Sequence, residues 1–232
     1  MPCLPDEWHN ACMHYVSETD VVQLALYARD IRARVLDMLA HAGSGHAGGS
    51  LGAADIFAAL YGHVLRHDPH NPEWSERDRL ILSHGHIVPA RYAAMALAGY
   101  FDETELKTLR TFGSRLQGHP ERTRLPGLET TSGPLGEGLG QAVGMALAAK
   151  MDGATYTVYP FLSDGEHQCG ATWEAVLAAA RYKHGNIIAT LDRNGVQIGG
   201  STEDILPLAP LREKYEAFGW QVLEVDGHDI SM

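Results

Sequence analysis

Cysteine is scarce in this chain of 232 residues. Cys3, Cys12 and Cys169 are an odd number at irregular spacing, which offers no disulfide framework and no zinc-ligand pattern and suits a reducing compartment. Long apolar runs are missing as well. No stretch of about eighteen apolar residues occurs, and the amino terminus lacks a basic start followed by an apolar core, so neither a spanning helix nor a signal peptide is predicted. Positive charge is short too: 18 Lys and Arg against 29 Asp and Glu leave a net charge of −11, which argues against a nucleic-acid surface. There is no internal repeat and no low-complexity segment. These absences predict a cytoplasmic protein with no nucleic-acid and no membrane partner. At 45% hydrophobic and 20% charged, the rest is an ordinary globular composition, long enough for one domain over residues 1–232.

The pattern of apolar residues predicts an α/β fold, a parallel sheet flanked by helices. Residues 156–162 and 186–191 read as buried strands, and 171–183 between them carries helix formers on a 3.6-residue period. Such a crossover makes the strands parallel and brings Asp164 and Asn194 out at the same carboxyl edge, where open α/β sheets place ligands. Ser163-Asp164-Gly165 and Asp192-Arg193-Asn194 at those strand ends suit a cation bound to a diphosphate. Mg²⁺ takes about six oxygens and fills part of its shell from phosphate and water. The Asp164 carboxylate, the Asn194 amide oxygen and the Val196 carbonyl would suffice from the protein. Gly165, without a Cβ, lets its N–H approach a diphosphate oxygen at the positive end of the following helix. Asp-Gly and Asp-x-Asn are also common turn sequences, so these residues alone leave both readings open.

Upstream, residues 1–19 read as irregular. A helix from about Asp20 would place Val22, Ala25, Ile31, Val35, Leu36 and Leu39 on its apolar face and stop in the stretch 43–49. Further helices are predicted at 53–65, 89–98, 104–111, 136–150 and 211–218, a short apolar strand at 80–82, and another strand at 221–225. The stretch 119–133, rich in Pro, Gly and Thr, reads as a long functional loop. Of the 13 histidines, His46, His86 and His119 stand in Gly-flanked loops from which an imidazole can reach a ligand. His63, His67 and His70 have spacings of four and three that suggest a metal, but Pro69 breaks the helix between them and favours surface positions. His84 and His184 stay unassigned.

Four blocks in order give the chain a family resemblance. They are Ser44-Gly45-His46-Ala47-Gly48 with Leu51-Gly52-Ala53-Ala54-Asp55; Arg77-Asp78-Arg79 through Leu82-Ser83-His84-Gly85-His86; Gly118-His119-Pro120 with Thr130-Thr131-Ser132-Gly133-Pro134-Leu135-Gly136; and the clamp with Trp173-Glu174-Ala175 and Gln197-Ile198-Gly199-Gly200. Over nearly its whole length the chain resembles the amino-terminal half of transketolase, the thiamine diphosphate enzyme. It fits that family better than deoxyxylulose phosphate synthases or oxo-acid dehydrogenases.

The resemblance implies the thiamine diphosphate-binding fold of a diphosphate (PP) domain. The cofactors would be thiamine diphosphate and Mg²⁺, or Ca²⁺ or Mn²⁺ in its place. It implies that His46, His86 and His119 meet the diphosphate and the donor sugar's hydroxyls, that Gly133, Pro134 and Leu135 meet the cofactor's rings, and that Glu174 belongs to an acidic relay near the interface between subunits. The implied reaction is transfer of a two-carbon ketol unit from a ketose phosphate to an aldose phosphate. The family's second domain, which supplies the glutamate for the aminopyrimidine and the basic residues for the substrate phosphate, has no counterpart here. The expectation is therefore one subunit of a split transketolase, in a heterotetramer with a carboxyl-terminal, pyrimidine-binding subunit. Three departures stand out. Ser163 replaces a glycine, Cys169 replaces an interface glutamate, and after Val225-Asp226-Gly227-His228-Asp229 the chain stops before a further helix and strand. That reads as a truncated domain lacking its last strand. The competing expectation is a catalytically inactive transketolase-like partner or regulator.

Overall fold

The computed structural model describes residues 17–183 and 185–231; the amino-terminal stretch with Cys3 and Cys12, and also His184, lie outside the described residues. Helix α1 (Glu18–Ala42) opens with a capping box. The Ser17 hydroxyl accepts from the Asp20 N–H at 3.2 Å while the Asp20 carboxylate accepts from the Ser17 N–H at 3.1 Å. It ends at Gly43, whose φ of 62° permits the N–H to reach the Leu39 carbonyl at 3.0 Å. The buried face is Leu24, Ala28, Ile31, Val35 and Met38. Steps of four and three keep that stripe on one side, whereas Val22, Ala25 and Leu36, expected inside, lie off it and are exposed.

The predicted stop after α1 also holds a helix that the sequence reading missed, α2 (Ala47–Gly52), because most of its six residues are glycine or serine. Helix α3 (Ala54–Ala59) runs on into one π turn, Leu60–Val64, and α4 (Val88–Leu97) packs with α1 and α3. Residues 103–108 form a 3-10 helix in place of the expected α-helix. No helix among the described residues is long and apolar enough to cross a membrane.

Three parallel strands, β1 (Arg79–Leu82), β2 (Val158–Ser163) and β3 (Thr190–Asp192), lie in the order β1-β2-β3. Side chains alternate across the sheet. Leu80, Leu82 and Phe161 face the layer of α1, α3 and α4, while Ile81, Val158 and Leu162 face α5 (Gly138–Asp152) and α6 (Gly170–Tyr182). Phe161 is fully buried, a contribution of about 1.5–3 kcal/mol. The crossover through α6 confirms the expected parallel unit, but the strand predicted at 186–191 is broken. Val158 donates to the Asn186 carbonyl at 2.9 Å and accepts from the Ile188 N–H at 3.0 Å. The next donor in that row is residue 160, a proline without an N–H, so regular pairing resumes only at Thr190.

A short hairpin, β4 (Val196–Gln197) and β5 (Gly200–Ser201), leads into α7 (Thr202–Ile205) and α8 (Leu211–Ala217). Residues 221–225 are not a strand. They gain no ladder partner, and Leu223 and Val225 are exposed.

Two histidines are buried within this framework. His84 donates from Nδ1 to the Phe161 carbonyl, 3.1 Å away, and His167 bridges the Ser163 carbonyl and the Tyr215 hydroxyl, each at 2.7 Å. Burial pushes their pKa values down to about 3 and about 4. The unfolded chain therefore binds these protons first. Their contribution is whole above pH 6.5 and drains away as pH falls below it, at roughly 1 kcal/mol per pH unit for each residue. Denaturant unfolding of the chain at pH 7 and pH 5 should show a smaller loss of stability in His167→Gln than in the parent; equal losses would contradict this account.

Candidate active site

The carboxyl ends of β2 and β3 are tied together where the clamp was expected. The Asp164 N–H donates to the Asp192 carbonyl at 3.0 Å. Asp164, only 2% exposed, accepts from the N–H groups of Gly165 and Gly195, both at 2.7 Å. Gly195, at φ 74°, turns the chain so that the Asn194 side chain accepts from the Val196 N–H at 2.9 Å and donates to Asp192 at 3.0 Å. Asp164, Asn194 and Val196 are thus brought to one spot.

Burial raises the pKa of Asp192, and the neighbouring Asp164 charge raises it further, against the hydrogen bond from Asn194. Two carboxylates side by side attract a cation. Among the described residues no three His, Cys, Asp or Glu side chains converge to hold a metal. The available donors are a carboxylate, an amide oxygen and a carbonyl, a hard and incomplete set that fits Mg²⁺ sharing phosphate oxygens. Gly165 leaves open space except for the Gln197 amide oxygen, which is buried without a partner. The helix expected directly after Gly165 is a four-residue 3-10 turn, Gly165–Gln168, and α6 starts beyond it.

Sequence reasoning missed Glu166. Its carboxylate is fully buried and accepts from the Ser83 hydroxyl at 2.6 Å, the Ser163 N–H at 3.1 Å and the Ser163 hydroxyl at 3.2 Å. Burial raises its pKa, and these donors, with the Gly136 backbone, pull the other way. The Ser83 hydroxyl in turn accepts from the Gly138 N–H at 3.2 Å, and the Glu166 carbonyl accepts from Thr172 at 2.8 Å. One glutamate, through its carboxylate and its carbonyl, so connects the ends of β1 and β2 with the starts of α5 and α6. The signal available was weak: serines closing two strands that the pattern already placed side by side.

The three selected histidines meet above this network. The His46 ring centroid lies 5.1 Å from that of His86 and 6.5 Å from that of His119. Their loops approach because glycines leave room. A Cβ on Gly49 would stand 2.8 Å from Ile87, and one on Gly85 would meet Ser132 at 2.9 Å and Pro120 at 3.1 Å. The loop bearing His119 is anchored by a buried pair, Arg77 with Glu129, and by the Ser132 N–H on the Pro120 carbonyl at 3.1 Å. His86 is held down to about 4 by burial and by the positive charges that His46 and His119 can carry. His119 is lowered by burial first, then by His46 and Arg110. His86 is therefore neutral near pH 7. His67, by contrast, spends its ring nitrogens on the Tyr61 carbonyl and the Tyr100 hydroxyl.

Of Gly133, Pro134 and Leu135, Pro134 lines a cleft together with Ser83, Thr131, Ser132, Glu137, Gly138 and Gln141. That cleft holds about 20 Å³, far below the several hundred Å³ that enclose a cofactor-sized ligand. Gly136, at φ 88°, approaches Cys169, where a Cβ would stand 2.7 Å from the cysteine's own. Glu174 points to solvent on α6, away from the buried network.

A parallel sheet with oxygen donors and histidines beyond its carboxyl edge has the ligand-binding arrangement of an open α/β domain. The family model for the transketolase thiamine diphosphate-binding domain matches residues 24–232. The chain belongs to the transketolase family. It is 46% identical over 208 residues to the 6-deoxy-6-sulfo-D-fructose transketolase subunit SqwG of Clostridium sp. strain MSTE9, covering 90% of this chain and 76% of that one. It is 40% identical to a subunit of the apulose-4-phosphate transketolase of Phocaeicola vulgatus, covering 90% and 74%. Among solved structures, the transketolase of Campylobacter jejuni superimposes with a TM-score of 0.84 at 36% identity, covering 90% of this chain and 34% of that one. The Leishmania mexicana transketolase gives 0.83 at 33% identity, and the chain again spans only a third of its length.

Removing the Ser83 hydroxyl strands both Glu166 and the Gly138 N–H. Ser83→Ala should cost about 1–3 kcal/mol. Paired with Glu166→Ala in a double-mutant cycle of denaturant unfolding, the losses should fall short of additivity. Strictly additive losses would show that the two groups do not act together.

Proposed function

We propose that this chain is the diphosphate-binding subunit of a two-chain transketolase that transfers a two-carbon ketol unit from a ketose phosphate to an aldose phosphate. The observation that supports this reading is that Ser83 and Ser163, which both donate to Glu166, directly precede the segments carrying His86 and Asp164. Asp164, Asn194 and the Val196 carbonyl would hold Mg²⁺, and the Gly165 N–H and His86 the diphosphate. Gly133, Pro134 and Leu135 would line the cofactor's rings. His46 and His119 would bind donor hydroxyls, and His86, neutral near pH 7, would exchange hydrogen bonds rather than offer a fixed charge. Thiamine diphosphate, when bound, supplies the carbon nucleophile that this set of side chains lacks.

The subunit reading is supported by the names of two relatives. The chain spans about three quarters of two relatives named as subunits and about a third of the solved transketolases. Its small rim cleft also leaves the rings to be covered by another surface, which a carboxyl-terminal subunit in a heterotetramer would provide. Glu174, exposed on α6, would meet that partner. The relatives' names favour an anionic ketose, phosphorylated or sulfonated, as the substrate class. A cytoplasmic setting agrees with the free thiol of Cys169.

The assembly should show ketol transfer that depends on thiamine diphosphate and Mg²⁺, and Asp164→Ala should lower it by at least about a hundredfold through loss of the metal. Transfer that survives in Asp164→Ala would refute the assignment of the clamp. Tight cofactor binding without transfer from any phosphorylated or sulfonated ketose would favour the inactive-partner reading.

A further inference from the structure

Arg110, just past the end of the 3-10 helix at 103–108, is a non-glycine residue in the left-handed region, at φ 61°. A side chain there is strained where glycine would not be. Its N–H closes the 110–116 turn on the Leu116 carbonyl at 3.0 Å. Its side chain then does two things. Nη1 donates to the Ser44 hydroxyl at 3.2 Å, and the guanidinium lies against Gly118, where a Cβ would come within 2.7 Å of Nε and 3.2 Å of Cζ. Ser44 stands two residues before His46, and Gly118 directly precedes His119. The left-handed turn aims a planar cation between the two loops, and the absence of a side chain at 118 lets it lie flat.

We propose that Arg110 is a positioning residue that joins the His46 loop to the His119 loop and sets the spacing of these two imidazoles. The inference rests on the reading of His46 and His119 as ligands of the donor sugar. The charged and titratable groups that face His119 are His46, His86 and Arg110. The Arg110 charge disfavours protonation of His119 and keeps it available as a neutral hydrogen-bonding group. A lysine at 110 would keep the charge but not the flat double contact.

The test uses Arg110→Gly, which removes the guanidinium and relieves the backbone, and Arg110→Lys, each as the full chain. Histidine titration by NMR on the chain should show His119 gaining its proton at higher pH in Arg110→Gly and close to the parent in Arg110→Lys. In the assembled enzyme, Arg110→Gly should lower kcat/KM for the donor ketose roughly ten- to a hundredfold, with Arg110→Lys recovering part of it. Thiamine diphosphate affinity should stay within about twofold, because the clamp is built on other loops. An unchanged His119 titration in Arg110→Gly, or an unchanged kcat/KM, overturns the proposal. Should the parent assembly catalyse no ketol transfer, the proposed function fails while the His119 titration still decides the role of Arg110.

Discussion

A carboxylate taken out of water must be met by hydrogen-bond donors, and three segments of this chain bend to supply them to Glu166. Ser83 comes from the end of β1, Ser163 from the end of β2, and Gly136 with Gly138, through Ser83, from the start of α5. No cation pairs with Glu166 in this network; the donors are all neutral, so each must be in place. Because β1 and β2 are parallel neighbours, both serines arrive at the same sheet edge. The loops that follow them, one carrying His86 and the other Asp164, inherit that fixed origin.

From this fixed point the site divides into two halves with different electrostatics. The half at Asp164 and Asp192 is acidic and attracts a cation. In the other half, burial and the positive charges around them disfavour protonation of His86 and His119. A cofactor with a metal-bound diphosphate, beside a hydroxyl-bearing sugar, matches that division. The glycines at 49, 85 and 138 serve close approach, each letting one loop touch the next where a methyl group would collide.

Much of this was legible in the chain. The strand-helix-strand unit, its parallel sense and the shared edge of Asp164 and Asn194 followed from periodicity, because a period of two flanking a period of 3.6 has few foldings. The histidines were found through their glycine-flanked loops and the family resemblance. Glu166 was not, since its partner Ser83 lies 83 positions away and no local pattern announces so distant a contact. The face of α1 was misread because Val22 and Leu36 are apolar yet lie off the stripe that Leu24, Ala28 and Met38 complete. Pro160 interrupted a predicted strand through the absence of a single N–H, and residues 221–225 have strand-like composition but no neighbour with which to pair.

The central claim is that one ligand spans both halves of the edge. It is tested most directly by the structure of the assembled complex with Mg²⁺ and thiamine diphosphate. The account predicts the cation on the Asp164 carboxylate, the Asn194 amide oxygen and the Val196 carbonyl, His86 at the diphosphate, and His46 and His119 facing the thiazolium side. Cofactor density that leaves Asp164 and Asn194 without a metal, or that lies away from the histidine cluster, would contradict it.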